Sequence, residues 1–509
     1  MNLYKERIIS SIAATTIALA GGTNYTYSAW GPQFADKLNY SSTEQNIIGL
    51  SANLGMYLLG IPIGIFVDSN GARITVLYAG FLLGIGYLIL YNTYSNGSGY
   101  LPLLCLFSFF TGVGGCASFA AAVKVSALNW PENRGTATAF PVAAFGLSAF
   151  LFSSFGQVIV SGNTSSFLLL LAIGTFGLNF VGFPFLRIIK VPENILVPAA
   201  TGNYLVKRKL YNSKPDETAS NSQLALVNED GSASGSGADE TALLLLDATL
   251  VNPIDDQESS RIDFDSTLQI SGIKLLSQVE FWHLFSLLGI FAGIALMTIN
   301  NIGNNVKALW RLWDESKDEE FIIQQESFQV SFISIASFLG RIISGIGSDY
   351  LLKTFKASRL WCLVFASALF FVAQILAVTL RDPRLLFLIS ALTGLAYGFV
   401  FGCFPSLVSE AFGIHSLSQN FGAMLLSPII SGNIFNLLYG KIYDRQSFFG
   451  PNGHRECTKG LSCYQKAYYI TIVACLIGFT VSLSSIFHTH RARQTGLKLV
   501  NRHENEEVA

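Results

Sequence analysis

Gly64-Ile-Phe-Val-Asp68-Ser-Asn-Gly71-Ala-Arg73 and Gly345-Ile-Gly-Ser-Asp349-Tyr350, the second followed by Lys353 and Lys356, decide the architecture of this chain. Each closes a long apolar run with a carboxylate four residues after a glycine, and a basic turn follows. The two aspartates stand 281 residues apart. Between them lies an 88-residue polar stretch at 190–277, and subtracting it from 281 leaves 193 residues, the length of six helices and their loops. A six-helix unit that occurs twice is the sequence mark of a secondary transporter.

The rest of the chain agrees. Its 509 residues are 51% apolar and only 13% charged, with 40 Phe and a mean hydropathy of +0.45. Soluble domains carry about 25% charged residues, so too little charge is present to cover this chain in water. A bilayer core about 30 Å thick takes about 20 apolar residues as helix. Twelve such runs can be drawn, at 8–30, 42–67, 74–91, 101–126, 136–160 and 167–188, then at 280–301, 322–348, 359–379, 385–408, 416–439 and 467–487. The first is too long for the apolar region of a signal peptide and lacks a clear cleavage site, so it reads as a retained helix. The expected fold is an all-α membrane protein of twelve transmembrane helices in two pseudo-symmetric six-helix bundles. The expected divisions are an N-terminal bundle at 1–189, a disordered linker at 190–277, a C-terminal bundle at 278–488 and a tail at 489–509. The linker, rich in Ser, Asp, Glu, Asn and Gly, holds too little apolar surface to offset its ordering entropy.

Basic residues orient the chain. With a cytoplasmic N-terminus, 21 of the 32 Lys and Arg fall on the cytoplasmic side, together with both termini and the linker. A net charge of −1 supplies no basic face for a nucleic acid. Six His and seven scattered Cys show no metal-ligand spacing. No HExxH, serine elbow or paired intramembrane Asp occurs, so an enzyme is excluded, and no cofactor is implied.

Several polar residues inside or beside the runs are candidates for solute contact. Lys124, in the last turns of the fourth run, and Arg341, eight residues before Asp349, either reach the cytoplasmic interface or face a central cavity, where they would neutralise an anion. Asn24 and Tyr27 follow the Gly21-Gly22 pair in the first run, alongside Thr23 and Tyr25. Asn300, Asn301 and Asn304 end the seventh run at an equivalent place, and the alternative is that they simply cap it. Gln419 and Asn420 open the eleventh run, where interhelical hydrogen bonding is the alternative. No carboxylate lies mid-run to carry a proton.

The 64–73 turn resembles the signature loop of the major facilitator superfamily, and the weaker copy at 345–349 sits where that family repeats it. Ser69 and Ala72 stand where the signature has basic residues. Trp130-Pro-Glu-Asn-Arg134-Gly135 with Gly146-Leu-Ser148, Ser416-Leu-Ser-Gln-Asn420-Phe-Gly422 and Leu438-Tyr439-Gly440-Lys441-Ile-Tyr443-Asp444 resemble the nodulin-like branch and the fungal monocarboxylate-transporter homologues. The duplicated carboxylates read as a cytoplasmic gate made of Gly64, Asp68, Gly71, Arg73, Gly345 and Asp349. In it Asp68 pairs either with Arg73 or with a helix end of the other bundle. The resemblance adds a gating role for Arg134.

These features imply a secondary active or facilitative transporter of a small, carboxylate-like solute working by alternating access. The alternative is a transporter-like sensor that moves nothing. A monomer in the lipid bilayer, with the solute as its ligand, is expected. Cys457 and Cys463 form a Cys-x5-Cys pair in the loop before the last run, suited to a disulfide in an oxidising lumen. In the linker, Asp239, Glu240, Leu243, Leu244 and Leu245 resemble an acidic dileucine signal read by sorting adaptors, which favours a vacuolar membrane over the plasma membrane.

Overall fold

In lipid each backbone N–H and C=O must be satisfied within its own segment, so apolar runs of this length become helices. The computed structural model describes residues 3–40, 42–160, 163–189, 195–198, 204–207, 224–227, 270–314, 316–449 and 455–507. The helices belong to one unit, Met1–Ile188 with Leu268–Ala509. Its N-terminal bundle holds α1 (Leu3–Gly21), a 3-10 turn (Gly22–Thr26), α2 (Tyr27–Leu38), α3 (Ser42–Leu58), α4 (Gly60–Asn70), α5 (Ala72–Asn96), α6 (Leu101–Asn129), α7 (Arg134–Val160) and α8 (Thr164–Gly182).

Ten helices among the described residues are long and apolar enough to cross a membrane. The pair Ile47–Leu58 and Gly60–Asn70, bent by 47°, makes an eleventh span. The first expected span is the remaining one. Lys5, Glu6 and Arg7 occupy the start of α1, and the 3-10 turn breaks the helix before α2, so neither piece is long and apolar by itself.

The segment at Ile189–Thr267 forms a second unit. There β1 (Ile195–Pro198), β2 (Tyr204–Lys207) and β3 (Leu224–Val227) pair antiparallel in the order β1-β2-β3. Most of 190–277, the stretch expected to be a disordered linker, lies outside the described residues. Tyr-Leu-Val and Leu-Ala-Leu-Val are short strand-favouring strings that a compositional average hides. Asp239, Glu240, Leu243, Leu244 and Leu245 lie outside the described residues.

The C-terminal bundle begins with the short α9 (Ile273–Leu276), which falls inside the span assigned to the linker. It continues with α10 (Val279–Trp313), α11 (Glu319–Thr354), α12 (Trp361–Thr379), α13 (Leu386–Phe412), α14 (Leu417–Met424), α15 (Leu426–Gln446) and α16 (Gln465–Glu507). Helix α10 runs twelve residues past the expected end at Asn301, so its asparagines are not caps. Two of them are satisfied inside the bundle: Asn301 donates to Met297 O at 2.8 Å and to Asn436 Oδ1 at 2.9 Å. Asn305 joins Tyr468 and Tyr439, each at 2.6 Å. Between α15 and α16, β4 (Phe448–Phe449) pairs with β5 (Arg455–Glu456), and Cys457 is disulfide-bonded to Cys463.

Candidate functional site

The two aspartates of the repeated turn do the same thing on opposite seams. Asp68 ends α4 and accepts the backbone N–H of Gln419, at the start of α14 in the other bundle, at 3.0 Å. Asp349, near the end of α11, accepts the N–H of Gly135 at 3.1 Å and of Thr136 at 2.6 Å, at the start of α7. Helix N-termini leave unpaired N–H groups and partial positive charge, so a carboxylate is the fitting partner. The first residues of α7 and α14, Arg134 and Leu417, lie 283 residues apart, close to the 281 that separate the aspartates. One interaction is therefore made twice, and each copy fastens one bundle to the other. Asp68 thus takes the helix-end alternative and not Arg73, whose guanidinium lies over the Phe183 ring at 5.1 Å.

Each carboxylate also has a basic partner in its own bundle. Lys124 Nζ lies 2.6 Å from Asp68 Oδ1 and donates to His415 O at 3.2 Å. The sequence left Lys124 at the interface or in the cavity; it lies buried between the bundles, on Asp68 of its own bundle and His415 of the other. Arg359 bonds Asp349, Ser348 Oγ at 2.8 Å and Glu410 Oε1 at 2.7 Å. Arg359 and Glu410 were missed as site residues. The signal was available, since a duplicated buried carboxylate implies a second cation, and Arg359 is ten residues beyond Asp349.

Gly71 joins α4 to α5 at a φ of +88°, and Arg134 opens α7 beside the Gly135 N–H that Asp349 holds. Gly345 faces the backbone of Gly135, as Gly64 faces that of Ser418 and Gln419. A Cβ at 64 would overlap that backbone, which cannot yield as a side-chain tip can. Gly64→Val is therefore expected to keep the seam from closing and to lower solute flux about tenfold or more, the equivalent of about 1.4 kcal/mol. Flux at the wild-type rate in membranes with equal amounts of protein would count against this.

Deeper between the bundles is a cavity of about 30 Å³, room for roughly two waters. Its wall is aromatic: Tyr25, Tyr57, Phe119 and Phe145 from one bundle, Tyr397 and Phe401 from the other. Arg341 is the charged residue of that lining, 6% exposed. Its Nη1 donates to Val142 O at 2.6 Å, and its Cζ lies 5.8 Å from the Tyr397 ring and 5.9 Å from that of Phe401. Its Nε has no hydrogen-bond partner, and among the described residues no carboxylate pairs with it. Tyr25 and Tyr57 share a hydroxyl hydrogen bond of 3.0 Å.

The residue 281 positions before Arg341 is Gly60, which packs against the backbone of Gly422. The repeat is thus symmetric at the gate and broken at the cavity, where one copy carries a cation and the other carries nothing.

The other candidates divide. Asn24 is buried beside the cavity, its Nδ2 3.8 Å from the sulfur of the lining residue Met56 and its Oδ1 unpartnered. Tyr27 instead packs with Trp30, ring centroids 4.8 Å apart, and it is Tyr25 that lines the cavity. Asn300 and Asn304 border a separate cavity of about 200 Å³ with Lys307 and Glu326. Gln419 serves the gate through its backbone, and Asn420 donates to Ile270 O at 2.8 Å.

Two helical bundles fastened by paired aspartates around a cavity that holds a buried arginine define the two-bundle class of membrane carriers. The family model of the Major Facilitator Superfamily matches residues 12–432, and the chain belongs to that superfamily. It is therefore a multi-pass membrane transport protein.

Among its relatives is the uncharacterized membrane protein YMR155W of Saccharomyces cerevisiae, 26% identical, with 95% of each chain covered. The probable transporter MCH1 of Gibberella zeae is 25% identical over 91% of this chain and 86% of that one. Of solved structures, the human organic anion transporter MFSD10 (TETRAN) has a TM-score of 0.55 at 14% identity, covering 94% of this chain and 99% of the other. The transporter FucP in its outward conformation has a TM-score of 0.52 at 12% identity, covering 93% and 99%. Both show the fold.

Proposed function

We propose that this protein carries a small organic anion, its carboxylate held by Arg341, across the membrane by alternating access. One observation supports the reading above the others: a buried guanidinium lies between the bundles with no carboxylate beside it. An ionised side chain inside a membrane protein is costly and marks a solute or ion path. A planar guanidinium matches a carboxylate with two parallel hydrogen bonds. The gates at Asp68 and Asp349 close one side of that site, as alternating access requires.

The experiment is flux into proteoliposomes with a panel of radiolabelled solutes: lactate, benzoate, succinate, glucose and lysine. Uptake of carboxylates and not of glucose or lysine is expected. Uptake of neutral or cationic solutes alone would overturn the anion reading. No flux of any solute would favour the non-transporting sensor.

The same proposal places both termini and the linker in the cytoplasm, on the gate side, because basic residues concentrate there. It also places the protein in a vacuolar membrane, on the strength of the acidic dileucine-like stretch at 239–245. Changing residues 243–246 to Ala is expected to move a tagged protein to the plasma membrane. Unchanged localisation would remove the sorting role.

A further inference from the structure

We infer that the Arg341–Val142 contact is a latch that ties reorientation of the empty carrier to solute binding, with Gly146 as the position that lets it close. The inference rests on the anion reading for its trigger and not for its existence. The bond joins the two bundles: Arg341 lies on α11 of one, and the Val142 carbonyl on α7 of the other, 2.6 Å away and buried. These are the same two helices that Asp349 fastens through Gly135 and Thr136. Arg341 and Asp349 are eight residues apart, about 12 Å along the helix, so the seam is pinned at the gate end and again at the cavity end. The opposite seam has its aspartate, but at the cavity end it meets through apolar contacts, Gly60 against Gly422 and Phe119 against Phe421 with ring centroids 6.0 Å apart. Among the described residues, the Arg341–Val142 bond is thus the hydrogen bond that both joins the bundles and lies at the cavity.

The chemistry of that fastener makes it sensitive to an anion. The bond draws its strength from the donor's charge, since charge-assisted hydrogen bonds are roughly twice as strong as neutral ones. Among the described residues no carboxylate pairs with that charge. A carboxylate arriving in the cavity neutralises and shares it, and the pull on the Val142 carbonyl weakens. A ligand shifts a conformational equilibrium only through a difference in affinity between the two states. Here the difference arises because the gate-shut state commits a guanidinium donor to Val142. An empty carrier is therefore held with the gate shut, and a loaded one is released.

Gly146 lies one helical turn beyond Val142, and a Cβ there would occupy the place of the Arg341 guanidinium. The obstructing atoms are the tip of a flexible side chain, so Gly146→Ala moves the guanidinium off Val142 while leaving the charge in the cavity.

Cys116 lines the cavity and is buried, which makes it a native reporter. The test supplies a membrane-impermeant maleimide from the gate face to the full-length protein in vesicles and follows Cys116 modification by mass spectrometry. Without solute, Gly146→Ala is expected to raise the labelling rate about tenfold over wild type, in line with the loss of a hydrogen bond to a charged group. Gly177→Ala, at a position with open space around it, is expected to leave the rate unchanged. Equal labelling in wild type and Gly146→Ala overturns the latch, whatever the flux panel shows. Adding the carboxylate of highest flux is expected to bring the wild-type rate up to that of Gly146→Ala. If the variant labels faster but no carboxylate accelerates the wild type, the fastener stands and the anion reading falls.

Discussion

Arg341→Gln carriers are expected to insert and fold normally yet to move carboxylates about 100-fold more slowly than wild type. Removing one partner of a buried, hydrogen-bonded charge pair costs about 2–5 kcal/mol of binding, and about 3 kcal/mol is a factor of about 100. Thermal stability is expected to move the other way. In the empty protein Arg341 is an uncompensated buried charge, and replacing such a group by a neutral one relieves desolvation. The variant should melt at or above the wild-type temperature. Arg341→Lys is expected to fall between, because an ammonium keeps the charge but loses the planar fork. Initial rates in proteoliposomes and a thermal melt in detergent decide. Wild-type carboxylate flux in Arg341→Gln would end the assignment of this residue to the solute.

Asp349→Ala is expected to have the second largest effect, and through the gate. Asp349 is 4% exposed and Arg359 is 2% exposed. Losing the carboxylate leaves Arg359 with Glu410 and the Ser348 hydroxyl, and strips the acceptor from two N–H groups at the start of α7. Breaking a buried ion pair from one side costs about 3–5 kcal/mol, of which Glu410 offsets a part. About 2 kcal/mol lost from the gate-shut state is a factor of about 30, so Cys116 should become labelled from the gate face about 30-fold faster while flux falls. Asp349→Asn keeps an acceptor oxygen for α7 and should be milder. Asp68→Asn should be milder still, because the Asp68 side chain is 13% exposed, Lys124 keeps the His415 carbonyl, and Gln419 keeps an acceptor. A double Asp68→Asn, Asp349→Asn variant with wild-type flux would remove both residues from the gate.

The architecture was legible in the chain because it follows from local quantities. Bilayer thickness fixes how long an apolar run must be, and a helix satisfies its own backbone, so spans can be counted without knowing what each one touches. The duplicated Gly-x3-Asp gave the repeat for a related reason, as both copies solve one packing problem. Where local rules failed, the cause was local as well. Asparagines inside α10 looked like caps until Asn436 and Tyr468 supplied partners from other helices.

Partners were what the sequence could not assign. Gln419 is 351 residues from Asp68, Gly135 is 214 from Asp349, and Val142 is 199 from Arg341. Lys124 and Arg341 read alike as lone cations near the ends or middle of apolar runs, and only the fold sends one to a gate carboxylate and the other to a cavity without one. Tyr25 and Tyr27, two positions apart on a broken helix, point respectively into that cavity and away from it. The sequence by itself determined a twice-repeated, all-helical membrane carrier with an aspartate at the same place in each repeat. The tertiary structure alone decided which cation stays uncompensated, because that depends on groups brought together across two bundles.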